Sequence, residues 1–174
     1  MFATLYLPKL YLQAAMRHQP ELRSKQVALL DDNEKRAVII QLNEPAEKVG
    51  VRTRMTPSQG LGRCLSLIVK TRAQSQEKLI DEILLHYGFT LSPYVEATAP
   101  GVCTIQFTDD RDLMPKVSRV IEQLAKCEII AQAGIAPAPD ASFLVAHLAR
   151  PVLQIKNAKK FLAPLPIEIL ATAI

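Results

Sequence analysis

The sequence predicts an α+β fold: a split β-α-β sheet domain with a small α/β lobe inserted after its first strand. Three observations predict it. An apolar strand pattern opens the chain at Phe2 and stops at Pro8. From residue 75 onward, strand patterns alternate with helix patterns that carry one apolar face. Between these blocks, residues 10–72 hold short strands and helices of their own, which makes them an insertion.

The elements follow in order. Residues 2–7 are a short apolar run, read as a buried strand, and Pro8 ends it because proline cannot donate to a central ladder. Residues 10–17 read as a short helix. Residues 27–30 and 38–42 read as strands joined by a polar turn over 31–36. Asn43 is placed to cap a helix through Lys48, with Gly50 ending it in the left-handed conformation. Thr56, Pro57 and Gln59 form a capping-box signature with proline at the first helical position. Residues 67–70 read as a strand. Residues 75–87 read as a helix with Leu79, Ile80, Ile83, Leu84 and Tyr87 at helical spacing and Gly88 as its stop. A strand pattern follows from about residue 93. In the strand at 102–107, Cys103, Ile105 and Phe107 share one side, and Thr104 and Gln106 the other. Asp112 opens a helix to about Lys126 whose core face is Leu113, Val117, Val120, Ile121 and Leu124. Residues 129–135 read as a strand and 140–149 as a helix. The order is that of a split βαβ, or ferredoxin-like, sheet.

Composition excludes several classes. With 174 residues and 49% hydrophobic content the chain can bury a core and is too apolar for disorder. Three cysteines, Cys64, Cys103 and Cys127, make no disulfide framework and no Cys-x-x-Cys zinc pair, and read as small core residues. No apolar run approaches ~18 residues, so no membrane span is expected. No basic region precedes the first apolar run, so a signal peptide is not expected either, and the cytoplasm is the expected compartment.

Candidate chemistry is sparse. Residues 48–76 carry six basic residues, Lys48, Arg52, Arg54, Arg63, Lys70 and Arg72, and no acidic one. Such a patch meets phosphates by Coulomb attraction and counterion release, or forms a solvated face whose acidic partners lie elsewhere in the sequence. The formal net charge is +4. Residues 1–87 hold 13 basic and 9 acidic side chains, and residues 88–174 hold 8 of each, so the whole excess lies in the half with the insertion. Grouped carboxylates occur only at Asp31-Asp32 and at Asp109, Asp110 and Asp112, where turns and caps compete with a metal site. His18, His86 and His147 are scattered, and Gly60-Leu61-Gly62 lacks the third glycine of a dinucleotide fingerprint.

Several segments together resemble a known family. They are Phe2 to Pro8, Pro20-Glu21-Leu22-Arg23, Gly50-Val51-Arg52 with Met55, Ser92 to Glu96, and Gly134-Ile135-Ala136. In this order they resemble the palm and fingers of Y-family translesion DNA polymerases, over about residues 2–170. The resemblance implies a discontinuous palm-like domain over 1–9 and 73–165, a fingers-like insertion over 10–72, and the start of a truncated thumb over 166–174. Tyr11 matches the family's aromatic gate. Lys156, Lys159 and Lys160 make a weaker basic spot near the thumb junction.

The departures from the family are as informative. Active members hold two Mg²⁺ ions with one Asp in the first strand and an Asp-Glu pair at the later strand. Here those positions match Tyr6, Gly101 and Val102. The triphosphate-contact Tyr and Arg match Glu44 and Glu47. Each reversed unit charge at ~4 Å and an effective dielectric of about 20 is worth roughly 4 kcal/mol, which turns attraction into repulsion. This pattern resembles the catalytically inactive ImuB branch. It implies no cofactor and a scaffold in damage-induced mutagenesis. Such a scaffold touches DNA weakly through Arg52, Arg54, Arg63, Lys70 and Arg72. It bridges a sliding clamp, a RecA-like accessory protein and an error-prone polymerase through C-terminal segments. Two alternatives stay open: a Mg²⁺-dependent nucleotidyltransferase using Asp109 or Asp110, and an interaction module that never touches DNA.

Overall fold

The computed structural model describes residues 1–31 and 37–166. The expected turn at residues 32–36 and the thumb segment from 167 onward lie outside the described residues. The chain divides into two compact units, one formed by Met1–Pro8 with the chain from Ile80 onward, the other by Lys9–Leu79.

The first unit is built on a five-stranded sheet, β1 (Phe2–Tyr6), β5 (Val95–Ala99), β6 (Val102–Gln106), β7 (Gln132–Ala136) and β8 (Val152–Gln154), in the order β5-β6-β1-β7-β8. β1 pairs antiparallel with both β6 and β7, while β7 and β8 are parallel and joined by helix α6 (Pro139–Leu148). Alternation along β1 sorts the two faces. Ala3 and Leu5 pair with Ile105, Cys103, Ile135 and Ala133 on a face that is fully buried. Helices α4 (Gln74–Leu91) and α5 (Leu113–Lys126) supply Ile80, Leu84, Leu113, Val117 and Leu124 to the buried interior. On the other face stand Thr4, Tyr6, Val102 and Thr104, met by α6.

Gly134 lies opposite Thr4 on that second face. A Cβ there would lie 2.2 Å from the Ala146 nitrogen and 2.3 Å from the Ser142 carbonyl oxygen, so glycine lets the α6 backbone rest directly on the sheet. The close approach brings Ser142 Oγ to 2.7 Å from Thr4 Oγ1, both fully buried. Ser142 Oγ also lies 2.7 Å from the Pro139 carbonyl, which can only accept, so Ser142 donates there and Thr4 donates to Ser142. Thr104 and Thr98 continue the hydroxyl row across the sheet at 3.5 and 2.9 Å.

The second unit carries a three-stranded sheet, β2 (Val27–Leu30), β3 (Ile39–Leu42) and β4 (Ile68–Lys70), in the order β3-β2-β4. Every residue of β2 is buried because both faces are covered. Ala28 and Leu30 pack with Ile39, Leu42, Ala46, Val51 and Leu67, and Val27 and Leu29 pack with Leu12 of α1 (Leu10–Met16) and Leu22. Asn43 caps α2 (Glu44–Lys48) by accepting from Ala46 N–H, and Gly50 has φ +88°. Thr56 and Gln59 form the expected capping box at α3 (Pro57–Arg63).

Four local readings need correction. Gly88 does not stop α4, which runs on to Leu91. The glycine instead makes room for Val95, whose Cγ1 would lie 3.2 Å from an added Cβ. Leu79 is exposed rather than core, while Ile80 and Leu84 carry the buried face. Asp112 occupies the N-cap position of α5 at φ +56°, but its side chain caps nothing. Of the cysteines, only Cys103 is a true core residue, its thiol pushed up to about 12 by burial. Cys64 is half-buried and Cys127 is exposed. Two further elements, β8 and a short helix α7 (Ala158–Leu162), carry too few residues for a period to register. Among the described residues no helix is long and apolar enough to cross a membrane.

Gly134→Ala should therefore cost about 3 kcal/mol, because its methyl group meets backbone rather than a movable side chain. A lowered urea midpoint with an unchanged m-value is the expected result. An unshifted midpoint would show that α6 is free to lift from the sheet.

Candidate functional site: the expected metal positions and the basic lobe

Tyr6 ends β1 directly opposite Val102, the first residue of β6. Gly101 precedes it in the two-residue Pro100–Gly101 turn that joins β5 to β6, with φ +72°. Proline followed by glycine is the residue pair such a turn selects. The turn is pinned from two sides. Gly101 N–H donates to Asp81 Oδ1 at 2.6 Å, and Leu7 N–H donates to the Gly101 carbonyl at 2.8 Å.

Tyr6 is partly buried, and burial pushes its phenol above the usual range. Its ring stacks on the His147 imidazole, with centroids 4.0 Å apart and planes inclined by 25°. Phe143 packs edge-on against the same imidazole at 4.6 Å. His147 Nδ1 lies 3.0 Å from the Phe143 carbonyl oxygen, which can only accept, so Nδ1 carries the proton. Val102 is buried. A phenol in an aromatic stack, a glycine and a valine do not fit Mg²⁺, which requires hard oxygen ligands in near-octahedral array.

Asp109 and Asp110 lie at the other end of this ladder. Phe2 faces Gln106 where Tyr6 faces Val102, so four residue steps, about 13 Å, separate the two ends. Asp109 accepts from the Arg111 side chain at 3.0 and 3.1 Å, which holds its carboxyl below the usual range. Asp110 pairs with the N-terminal ammonium at 3.1 Å.

In the second unit, Glu44 and Glu47 are both neutralised by lysines. Lys48 pairs with Glu44 at 2.6 Å and lowers its pKa by hydrogen bonding and charge. Lys9, at φ +53°, donates to Glu47 Oε1 and to the Leu42 carbonyl, each at 2.7 Å. The simple charge reversal expected at these positions is thus tempered by local pairing. Lys9 itself carried no sequence signal, because its partner stands 38 residues away.

The basic residues separate into two groups. Arg72 makes a two-pronged pair with the buried Glu77, at 3.0 and 2.6 Å, and its guanidinium lies 4.0 Å above the Tyr11 ring. Its charge is spent inside the unit, and the hydrogen bond to the Glu77 carboxylate pushes its pKa still higher. Lys70 is half-buried and donates to Gln19 Oε1 at 2.7 Å. Arg52, Arg54 and Arg63 are exposed. Arg52 Nη1 bonds the Glu47 and Val51 carbonyls at 2.6 and 2.8 Å. None of the three pairs with a carboxylate among the described residues. Glu77, five residues beyond Arg72, stands just past the end of the basic run, as Glu44 and Glu47 stand just before its start.

A sequence model of the impB/mucB/samB family matches residues 5–147. DNA polymerase IV of Shewanella halifaxensis is 29% identical over 171 residues, covering 90% of this chain and 46% of that protein. The crystal structure of DinB from Sulfolobus solfataricus superposes with a TM-score of 0.81 at 15% identity, over 97% of this chain and 52% of that one. An insertion ternary complex of Dbh DNA polymerase gives a TM-score of 0.84 at 14% identity, over 97% and 53%. The chain spans about half the length of the curated relatives it matches. Its mixed sheets and helices match the palm and fingers domains of Y-family polymerases. Most of the chain falls within one family pattern, and it belongs to the impB/mucB/samB family.

Proposed function

We propose that this chain is the palm-and-fingers part of a non-catalytic, ImuB-type member of the Y-family lineage. In this reading it is a scaffold for damage-induced translesion synthesis that contacts primer–template DNA weakly and without sequence preference. The observation that carries the reading is the state of the former metal positions. Tyr6 is locked in a stack with His147, Val102 is buried, and Gly101 sits in a left-handed turn. A carboxylate at position 101 would need a backbone conformation that L-residues disfavour by about 1–2 kcal/mol. The loss therefore extends from the side chains into the backbone. DNA contact falls to Arg52, Arg54 and Arg63, with Lys70 as a further cation, because their charges are not spent on carboxylates. Bridging to a sliding clamp, a RecA-like accessory protein and an error-prone polymerase belongs to the same proposal.

The name of the relatives favours a second reading, a working polymerase. In this chain it would have to draw on Asp109 or Asp110, at the far end of β6 from Tyr6. That spacing is several times what two ions about 4 Å apart can share.

Three outcomes are expected. With Mg²⁺, deoxynucleotides and a primer–template, the protein extends no primer, and incorporation abolished by Asp109→Ala or Asp110→Ala would overturn the scaffold reading. Gly101→Asp lowers stability by about 1–2 kcal/mol, read as a urea midpoint, and the triple change Tyr6→Asp, Gly101→Asp, Val102→Glu still gives no extension. Duplex binding weakens with salt, and Arg54→Glu with Arg63→Glu reduces the slope of log affinity against log salt by about 1.8, two contacts at about 0.9 each. Affinity that ignores salt would remove DNA from the proposal.

A further inference from the structure

The five-stranded sheet ends in an edge that the proposed scaffold role does not use. β5 stands last in the strand order and, among the described residues, pairs with β6 alone. Gln106 N–H donates to the Tyr94 carbonyl at 2.9 Å, in a register that sets Val95 against Ile105 and Glu96 against Thr104. Backbone groups alternate in direction along an antiparallel strand. Tyr94 and Glu96 therefore bond toward β6, and the N–H and C=O of Val95 and Ala97 point off the edge. Four of the strand's five residues are exposed. The open stretch is short, because the register shifts between Ala97 and Ala99 just before the Pro100–Gly101 turn.

Aromatic side chains flank this edge on both faces. Phe89 and Tyr94 are the exposed aromatics among the described residues, at 57% and 58%. In α4, Gly88 faces the sheet, where an added Cβ would meet Val95, Cys103 and Ile105. Tyr87 turns to one flank, its hydroxyl 3.8 Å from Cys127 Sγ at the end of α5, and α5 packs on β7 and β8. Phe89, about 200° around the helix from Tyr87, turns to the opposite flank, on the β5 side. Leu85, one turn earlier on that flank, is half-buried. Tyr94 alternates with Val95 and stands on the other sheet face with Glu96. An added strand would meet Phe89, Leu85 and Ala97 on one face, and Tyr94 and Glu96 on the other.

Charge selects the occupant. Glu96 makes no ion pair among the described residues. A second copy pairing through the same outward groups would set Val95 against the other copy's Ala97. The two Glu96 carboxylates would then stand directly opposite each other, which is destabilising. A strand with a basic residue at that point, and apolar residues on either side of it, turns the repulsion into attraction.

We propose that β5 accepts an extended apolar–basic–apolar segment of a partner protein as an antiparallel sixth strand. Its central Lys or Arg lies opposite Glu96, and its flanking side chains lie beside Phe89 and Ala97. The inference is independent of the DNA reading, whose basic lobe belongs to the other unit.

The test is fluorescence anisotropy of a labelled Thr-Val-Lys-Val-Thr peptide titrated with the full chain at low salt. Saturable binding is expected. Ala97→Pro removes an outward N–H and leaves the bonds to β6, so binding should weaken about fivefold or more, with a thermal melt matching the parent chain. Phe89→Ser should weaken it about two- to fivefold. Glu96→Lys should weaken this peptide and favour Thr-Val-Glu-Val-Thr instead. On the parent chain, methylating the amide nitrogens of both peptide valines should remove binding, a control that needs no variant. Absence of saturable binding overturns the proposal, as does affinity indifferent to Ala97→Pro or to N-methylation. So does a dimer in sedimentation that Ala97→Pro dissolves, which would give the edge to a second copy.

Discussion

The sheet unit depends on one contact, the backbone of α6 resting on Gly134. No side chain stands between helix and strand there, so α6 comes within reach of β1. From that distance Ser142 meets Thr4, and one turn further His147 meets the ring of Tyr6. A buried hydroxyl without a partner is expensive, and the short spacing is what lets Thr4 and Ser142 satisfy each other. The same spacing places an imidazole over Tyr6, where the resemblance expects the family's first metal carboxylate.

In this family the frame and the chemistry rest on different physics. The frame rests on apolar burial and close packing, which tolerate exchange of residues of similar shape. Metal chemistry rests on a few carboxylates at fixed distances. Here the first is present, and the positions that the resemblance expects for the second hold an aromatic stack, a turn glycine and a buried valine. The second unit follows a similar course. Glu44 and Glu47 stand where phosphate contacts are expected, and Lys48 and Lys9 neutralise them from within the chain. Arg72 is likewise consumed by Glu77 and the Tyr11 ring. Internal pairing, rather than net charge, decides which cations remain available.

Much of the fold was legible in the residues. The capping box at Thr56, the Asn43 cap, the left-handed Gly50 and the core face of α5 follow from local rules and were found in place. The misreadings share a cause. Gly88 and Asp112 looked like helix punctuation, but Gly88 answers to packing against Val95 and Asp112 to the left-handed turn before α5. The site was half legible. Family resemblance singled out Tyr6, Gly101 and Val102, while the pairs Tyr6–His147, Lys9–Glu47 and Gly101–Asp81 could not be read, since each joins segments 20 or more residues apart.

Periodicity, caps and turns act over a few residues, and so the element order, the two-part organisation and the basic insertion were open to reading in one dimension. Which charges are spent and which face solvent was decided only by folding. Salt bridges, ring stacks and the seat of α6 on Gly134 join residues that are distant along the chain, and their energies exist only once tertiary packing has set the distances between them.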